Sequence, residues 1–333
     1  MGKKNKQKKR KKKNLPKELP EKFVERLTNI VGSSTLTRVM KTFVDKPTTF
    51  RVNTINAKKK EVGAALKEHN YKTKHVSWYD HAYILQNQTK RGLTELEIYK
   101  EGKIYIQSLA SMVPPLILDP KPGEKVLDLT AAPGSKTSQI AALMEKRGEL
   151  VANELNKVRF FRLQHNMQHL GVLDPQNDWE FIMRMEDGSA LCKEYENYFD
   201  KILVDAPCSG EARFIDGYPK SYGYWSEHKI KQVAYRQHKL LMAAWFALKP
   251  GGVLVYSTCT MAPEENEARI SKLVERFGEE VVVEKITLPQ VESIPPSVEW
   301  KGKVYHKDVA KTFRMLPTTE VEGFYVARLR KVA

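Results

Sequence analysis

Cysteine is scarce, with only Cys192, Cys208 and Cys259 in a chain of 333 residues. Three thiols cannot all pair, and none forms a C-x-x-C spacing. Neither a disulfide framework nor a zinc site is expected, no metal is expected at all, and a reducing cytoplasm suits the chain. Long apolar runs are also missing. No stretch approaches the ~18 residues that would cross a bilayer, and lysines stand where a secretory leader needs apolar residues, so we expect neither a membrane span nor export. The glycine-rich phosphate motifs are lacking too. TAAPGSKTS (130–138) contains no G-x-G-x-x-G. It also fails as a P-loop, because Ser135 separates Gly134 from Lys136.

What is present is ordinary globular material of 41% hydrophobic and 29% charged residues, long enough for one large domain and a smaller one. The formal charge is +16, and MGKKNKQKKRKKK (1–13) alone supplies nine lysines and arginines. A basic excess of this kind favours polyanions, because each neutralised phosphate releases condensed counterions. The arm itself does not choose among rRNA, tRNA, DNA and an acidic membrane surface.

Three regions separate by texture. Residues 1–14 form a low-complexity basic arm that cannot bury enough surface to fold. Residues 15–105 read as a small mixed α/β module, expected either to bind RNA or to cover one edge of the main domain. FRVNTIN (50–56) is expected as a strand, residues 58–70 as a helix, and HVSWY (75–79) with YILQ (83–86) as a hairpin-like pair. From 106 to 333 strands alternate with helices, the pattern of a doubly wound parallel α/β sheet. Predicted strands are 125–130, 149–154, 180–185, 201–206, 252–258, 281–288 and 323–330, apolar enough to be buried on both faces. Phe160, Leu163, Met167 and Leu170 mark one helix. Ile230 to Leu248 mark another, and Pro263 opens a third with Glu264 and Glu265 in its first turn.

In such sheets ligands sit beyond the carboxyl ends of the strands. The small side chains of 130–138 would let a cofactor approach the backbone. Glu154 follows Gly134 by twenty residues, near the spacing at which an acid holds a ribose diol, and Asp187 follows the next strand. A nucleoside cofactor without a phosphate cradle is expected, and S-adenosylmethionine is the obvious one. KILVDAPCSG (201–210) and VLVYSTCT (253–260) both end core strands on a cysteine. Methyl transfer to C5 of a pyrimidine needs a nucleophile at C6, an acid toward N3 and a base for the C5 proton. Asp205, Cys208 and Cys259 meet these needs, and spacing leaves open which cysteine attacks.

The set DLTAAPGSKT, DAPCSGE and YSTCTMAPEENE resembles the Nop/Sun (RsmB-like) family of RNA cytosine-5 methyltransferases. FRMLPTTEVEGFYVARLRK near the C-terminus is similar to the rRNA methyltransferase RsmF branch. The resemblance runs from about 104 onward. It implies a Rossmann-like class I methyltransferase sheet, Cys259 as nucleophile and Cys208 assisting release of the methylated base. It further implies that Thr130, Ala131, Ala132, Pro133, Gly134, Ser135 and Lys136 contact S-adenosylmethionine. Glu154 would hold the ribose, Asp187 lie by the adenine, and Arg159 neighbour the cofactor. Asp205 would stand between methionine moiety and base, and Lys136 would reach the cytosine. Thr130 departs from the family, where many members have cysteine. The implied partner is rRNA first or tRNA; a monomer is expected, though nothing in the sequence reads out the oligomeric state. A non-catalytic RNA-binding or assembly protein would not need all of Asp205, Cys208 and Cys259, and an amino-group methyltransferase usually carries an aromatic after D-P-P, which DAPC lacks.

Other features read blandly. Cys192 is expected as an inert buried thiol. His165 and His169 share a helix face but lack the H-E-x-x-H glutamate. The loop 212–227, which mixes Arg213 and Lys220 with Phe214, Tyr218, Tyr222, Tyr224 and Trp225, is expected to touch RNA. Glu264 and Glu265 read first as helix N-terminal charge.

Overall fold

The computed structural model describes residues 18–332, so the arm expected over 1–14 lies outside the described residues. Residues 49–106 build a four-stranded antiparallel sheet in the order β2-β3-β1-β4, from β1 (Thr49–Val52), β2 (Thr73–His75), β3 (Ala82–Leu85) and β4 (Ile104–Ile106). Helix α3 (Lys59–Glu68) lays Val62 and Leu66 on Phe50, Val52 and Leu85, and the short helices α4 (Lys90–Glu95) and α5 (Glu97–Lys100) add Leu93 and Ile98. The expected 75–79 strand is displaced. Residues 73–75 pair with β3, and Tyr79 donates its N–H to Val76 O in the turn between them. Helices α1 (Glu21–Val31) and α2 (Ser33–Met40) pack elsewhere: Phe23, Leu27 and Val39 cluster with Phe214, Tyr222 and Met261.

The larger sheet has nine strands, and its parallel part carries the predicted alternation. In the order β9-β8-β5-β6-β7 it contains β5 (Lys125–Asp128), β6 (Gly148–Asn153), β7 (Trp179–Arg184), β8 (Phe199–Asp205) and β9 (Leu248–Thr258). Successive residues feed opposite faces. Val126, Leu150 and Leu203 meet α6 (Leu109–Leu118), α7 (Ser135–Leu143) and α8 (Lys157–His169). Leu127, Val151 and Ile202 meet α9 (Gly188–Leu191), α10 (Glu227–Ala247) and α11 (Glu267–Phe277). Burial on both faces is why these strands are apolar throughout.

The C-terminal strands depart from the parallel expectation. Strands β10 (Val281–Glu284), β11 (Ser293–Ile294), β14 (Phe313–Met315) and β15 (Phe324–Lys331) all join antiparallel, with β15 lying against β9, while β12 (Glu299–Trp300) and β13 (Lys303–Val304) make a separate ribbon. Only a helix-free loop links β14 to β15, too short for the crossover that parallel pairing requires. The third predicted helix also starts later. Pro263 to Asn266 form a turn, and α11 begins at Glu267, so Glu264 and Glu265 lie outside its first turn.

Strand order reverses about β5, with β6 and β7 to one side and β8 and β9 to the other. The crevice at that reversal, beyond the ends of β5 and β8, is where a doubly wound sheet binds ligands.

Candidate active site

A cleft of about 830 Å³ opens at this crevice. Its walls include Thr130, Ala131, Ala132, Pro133, Ser135, Lys136, Arg159, Asp205, Cys208 and Cys259, so the structure gathers most of the residues singled out in the sequence. Glu154 and Asp187 lie outside that wall, and so does Gly134. It turns with φ +104°, and a Cβ there would meet Met167 Cε at 2.6 Å, so only glycine lets this loop lie on α8.

On the β6 side, Glu154 is buried, and its Oε1 accepts the N–H of Asn156 at 2.9 Å. Arg159 ties this acid to the loop: Nη1 lies 3.0 Å from Glu154 Oε2, and Nη2 donates to Ala132 O at 2.5 Å. Oε2 is buried and faces that guanidinium without a directed hydrogen bond. Asp187 caps α9, accepting the N–H groups of Ser189 at 2.9 Å and Ala190 at 3.3 Å. Leu155 and Met185, large apolar side chains next to these acids, are exposed, a signal that sequence reasoning missed. Under the loop, Asp128 is buried, accepts the Thr137 hydroxyl at 2.7 Å and is pushed up to about 7 by burial.

On the β8 side, parallel pairing sets Asp205 opposite Ser257. Ser257 Oγ donates to Asp205 Oδ1 at 2.8 Å, and Lys136 Nζ lies 2.7 Å from Oδ2. Thr130 Oγ1 donates to Asp205 O at 2.8 Å, closing β5 onto β8. The same register carries both cysteines past the strand ends together, and Cys208 Sγ and Cys259 Sγ stand 3.2 Å apart. Their surroundings differ. The thiol of Cys259 is held below its ordinary value by the Cys208 S–H and then by the Arg213 and Lys136 cations, against burial. That of Cys208 is raised by its bond to Cys259, by burial and by the charges of Cys259 and Glu265.

Beneath the sulfurs lies a buried polar network that the sequence did not announce. Glu265 accepts the N–H of Ser209 at 3.0 Å and the amide of Gln237 at 2.8 Å, and Gln237 also donates to Pro207 O at 2.9 Å. Ser209 Oγ meets Thr260 Oγ1 at 2.8 Å, and Thr260 donates to Glu211 at 3.0 Å. Burial pushes Glu265 up to about 7 and raises Glu211 as well. Glu265 therefore belongs to the site floor rather than to a helix dipole, while Glu264 pairs with Arg26 at 2.7 Å. Two fully buried residues complete the frame: Arg314 grips Glu267 through Nε at 2.6 Å and Nη2 at 2.7 Å. Their burial could not be read from FRM and ENE alone.

The 49–106 module also reaches the site. Arg51, fully buried in β1, donates to Gln107 Oε1 at 2.9 Å and to Ser138 Oγ at 2.6 Å. Gln107 bonds the Ser111 carbonyl at 3.1 Å, and Ser111 Oγ accepts Lys136 Nζ at 2.8 Å. In the 212–227 loop most rings turn inward. Phe214 and Tyr222 are buried, and Trp225 packs on Phe23 while donating to Glu211 at 2.7 Å. Tyr218 and Tyr224 stay exposed, and Tyr224 lines the cleft with Arg213 and Lys220. Cys192 is buried with its thiol pushed up to about 12 by burial. The His169 ring contacts Tyr99 O at 2.9 Å, and among the described residues no group of His, Cys, Asp and Glu is arranged to hold a metal. No helix among them is long and apolar enough to cross a membrane.

Residues 19–109 match the N-terminal domain of 16S rRNA methyltransferase RsmF, and residues 115–330 match 16S rRNA methyltransferase RsmB/F. The tRNA (cytosine(49)-C(5))-methyltransferase of Pyrococcus abyssi is 38% identical over 284 residues, covering 84% of this chain and 87% of that one. The ribosomal RNA small subunit methyltransferase F of Shewanella amazonensis is 34% identical over 286 residues, 85% of this chain but 58% of that protein, so the chain spans little more than half of this relative. A crystal structure of a methyltransferase homolog protein from Pyrococcus horikoshii superposes with a TM-score of 0.78 at 29% identity, covering 94% of this chain and all of that one. With a family match over residues 115–330 and a fold that superposes on a methyltransferase homolog, the chain belongs to the RsmB/F family of methyltransferases.

Proposed function

We propose that this protein transfers a methyl group from S-adenosylmethionine to C5 of cytosine in RNA through a covalent bond between Cys259 and C6. The observation that carries this is the pair of thiols 3.2 Å apart beside the Lys136–Asp205 ion pair in one cleft.

The residues fit the cofactor. Glu154, held by Arg159 just past the end of β6, would offer its carboxylate to a ribose hydroxyl, Leu155 and Met185 offer exposed apolar flanks for adenine beside Asp187, and the small loop 130–135 leaves room at the backbone. Bound there, S-adenosylmethionine supplies an electrophilic methyl group. Everything else is done by the chain. The Cys259 thiolate adds to C6 and turns C5 into a nucleophile. The negative charge that the thiolate brings into the ring would be balanced by the Lys136 ammonium, which Asp205 and Ser111 hold. Asp205 in its protonated form would donate to N3 and take the proton back on release. After transfer a base takes the C5 proton, the S–C6 bond breaks, and the sulfur leaves as thiolate; Cys208 assists this release. The base must leave its stack to reach the thiol, so an unpaired or flipped cytosine is the substrate.

The match to the RsmF N-terminal domain supports rRNA as the first substrate to test, with tRNA, named for the archaeal relative, as the competing one. Purified protein incubated with methyl-labelled cofactor and separate rRNA and tRNA pools should deposit label at cytosine C5 in one of them. No label in either pool would favour the non-catalytic assembly protein instead.

A further inference from the structure

Two identical thiols 3.2 Å apart share a proton, and their own geometry does not say which sulfur keeps it. The groups around them do. Around Cys259 stand Arg213, Lys136 and Asp205. The acid opposes an anion there, but Lys136 at 2.7 Å and the Ser257 hydroxyl at 2.8 Å already compensate it. Arg213 has no such engagement. It follows Ala212, whose N–H donates to Cys259 O at 3.2 Å, and its guanidinium lines the cleft without an ion-pair partner among the described residues; Glu322 and Tyr224 line the same cleft beside the two thiols. Cys208 has the opposite neighbour. Glu265 is wholly buried and holds Ser209 N–H at 3.0 Å and, through Gln237, the carbonyl of Pro207, so the residues on both sides of Cys208 are anchored to a carboxyl group.

Resting on the reaction proposed above, we propose that Arg213 and Glu265 polarise the thiol pair, Arg213 drawing the negative charge to Cys259 and Glu265 keeping the proton on Cys208. Both act through the cysteines and are positioning residues for charge. The shifts already described run in the same sense. Glu265 is anionic above about 7, so the division is sharpest in mildly alkaline solution. The arrangement also times the second sulfur. When Cys259 bonds to C6 its charge disappears into a neutral thioether. Of the groups that held the Cys208 proton, the Cys259 charge is then gone and only Glu265 remains, so the proton is held less firmly. Cys208 can release that proton to cleft water and accept the one on C5.

The test is site-resolved alkylation of the free, full-length protein with iodoacetamide across pH 6–10, read by peptide mass spectrometry with Cys192 as the buried control. Cys259 should react with a midpoint below the ordinary thiol range, and Cys208 roughly tenfold more slowly at pH 7.5, since one pKa unit is a factor of ten. Arg213→Gln should move the Cys259 midpoint upward by about one unit while leaving its high-pH plateau unchanged. Arg213→Lys should restore it. Glu265→Gln should narrow the gap between the two cysteines, and if that variant does not fold the Arg213 pair alone decides. Faster labelling of Cys208 in the wild type, or an Arg213→Gln profile lowered equally at every pH, would overturn the proposal. Parallel incubations with cofactor and RNA separate the two claims. Methylation with the wrong labelling order rejects only the polarity, and the expected labelling without C5 methylation rejects only the RNA reaction.

Discussion

Replacing Cys208 by alanine should make the protein hold its RNA, yet take hold of it slowly. In the native site the S–H of Cys208 is the largest influence holding the Cys259 thiol low. A hydrogen bond to a charged group contributes about 1.5–3 kcal/mol, and a thiol is a weak donor, so about 1.5 kcal/mol is the reasonable loss. That is roughly one pKa unit, or a tenfold smaller thiolate fraction below the midpoint. Entry into the adduct at neutral pH should therefore slow about tenfold, and raising the pH by one unit should recover it. Exit is hindered separately, because the second sulfur no longer assists loss of the C5 proton. Slow entry and slower exit leave a covalent species that builds toward stoichiometric occupancy. Denaturing gels of Cys208→Ala with labelled RNA and cofactor, sampled over time at two pH values, read both quantities, and Cys259→Ala should give no shifted band. An adduct in Cys259→Ala but not in Cys208→Ala would exchange the two roles. Adduct formation in Cys208→Ala at a pH-independent rate would refute the hydrogen-bond argument while leaving the assignment standing.

Arg314→Met should destabilise the protein by about 3–5 kcal/mol, about 4–7 °C in Tm, because it strands a buried carboxylate. The double variant with Glu267→Leu should recover much of that, and additive losses in thermal melts would argue against the pair. Glu265 titrates higher in the fold than the ordinary glutamate, so the stability it leaves intact below pH 4–5 is lost as pH rises through about 7. Glu265→Gln should flatten that decline in denaturant titrations, and Asp128, raised to about 7 in the same direction, should keep part of it. An unchanged slope would mean the acid is not buried as described. Deleting residues 1–13 should weaken RNA binding and reduce its salt dependence while leaving cofactor affinity intact, and equal RNA affinity in filter binding would remove the arm's role.

The parallel strands and the loops at their ends were legible because their signals are local. Val/Ile/Leu runs mark strands buried on both faces, and the small residues of 130–135 together with the cysteines at 208 and 259 mark the crevice they flank. Residues whose partners lie far along the chain were not legible. Pro263-Glu264-Glu265 has the local chemistry of a helix start. Glu265 nevertheless turns inward to the Ser209 N–H and the Gln237 amide, neither of which is near it in sequence. Phe214 and Tyr222 read as stacking rings until α1, almost two hundred residues earlier, covers them. Arg213 was singled out for RNA, and its standing beside the sulfurs emerged only once Ala212 bonded the Cys259 carbonyl. The antiparallel C-terminal strands carry the same apolar pattern as parallel ones, and only the helix-free connection into β15 betrays their direction.

The bonds from Arg51 through Gln107 and Ser111 to Lys136 bear on any attempt to retarget this scaffold. Grafting the C-terminal half onto a foreign recognition unit would sever that line at its first arginine and loosen the lysine that steadies Asp205. A chimera that kept every motif of the transferase half could thus lose its acid for want of one guanidinium inherited from the other half. The working junction for protein engineering lies upstream of α1, not between the two sheets.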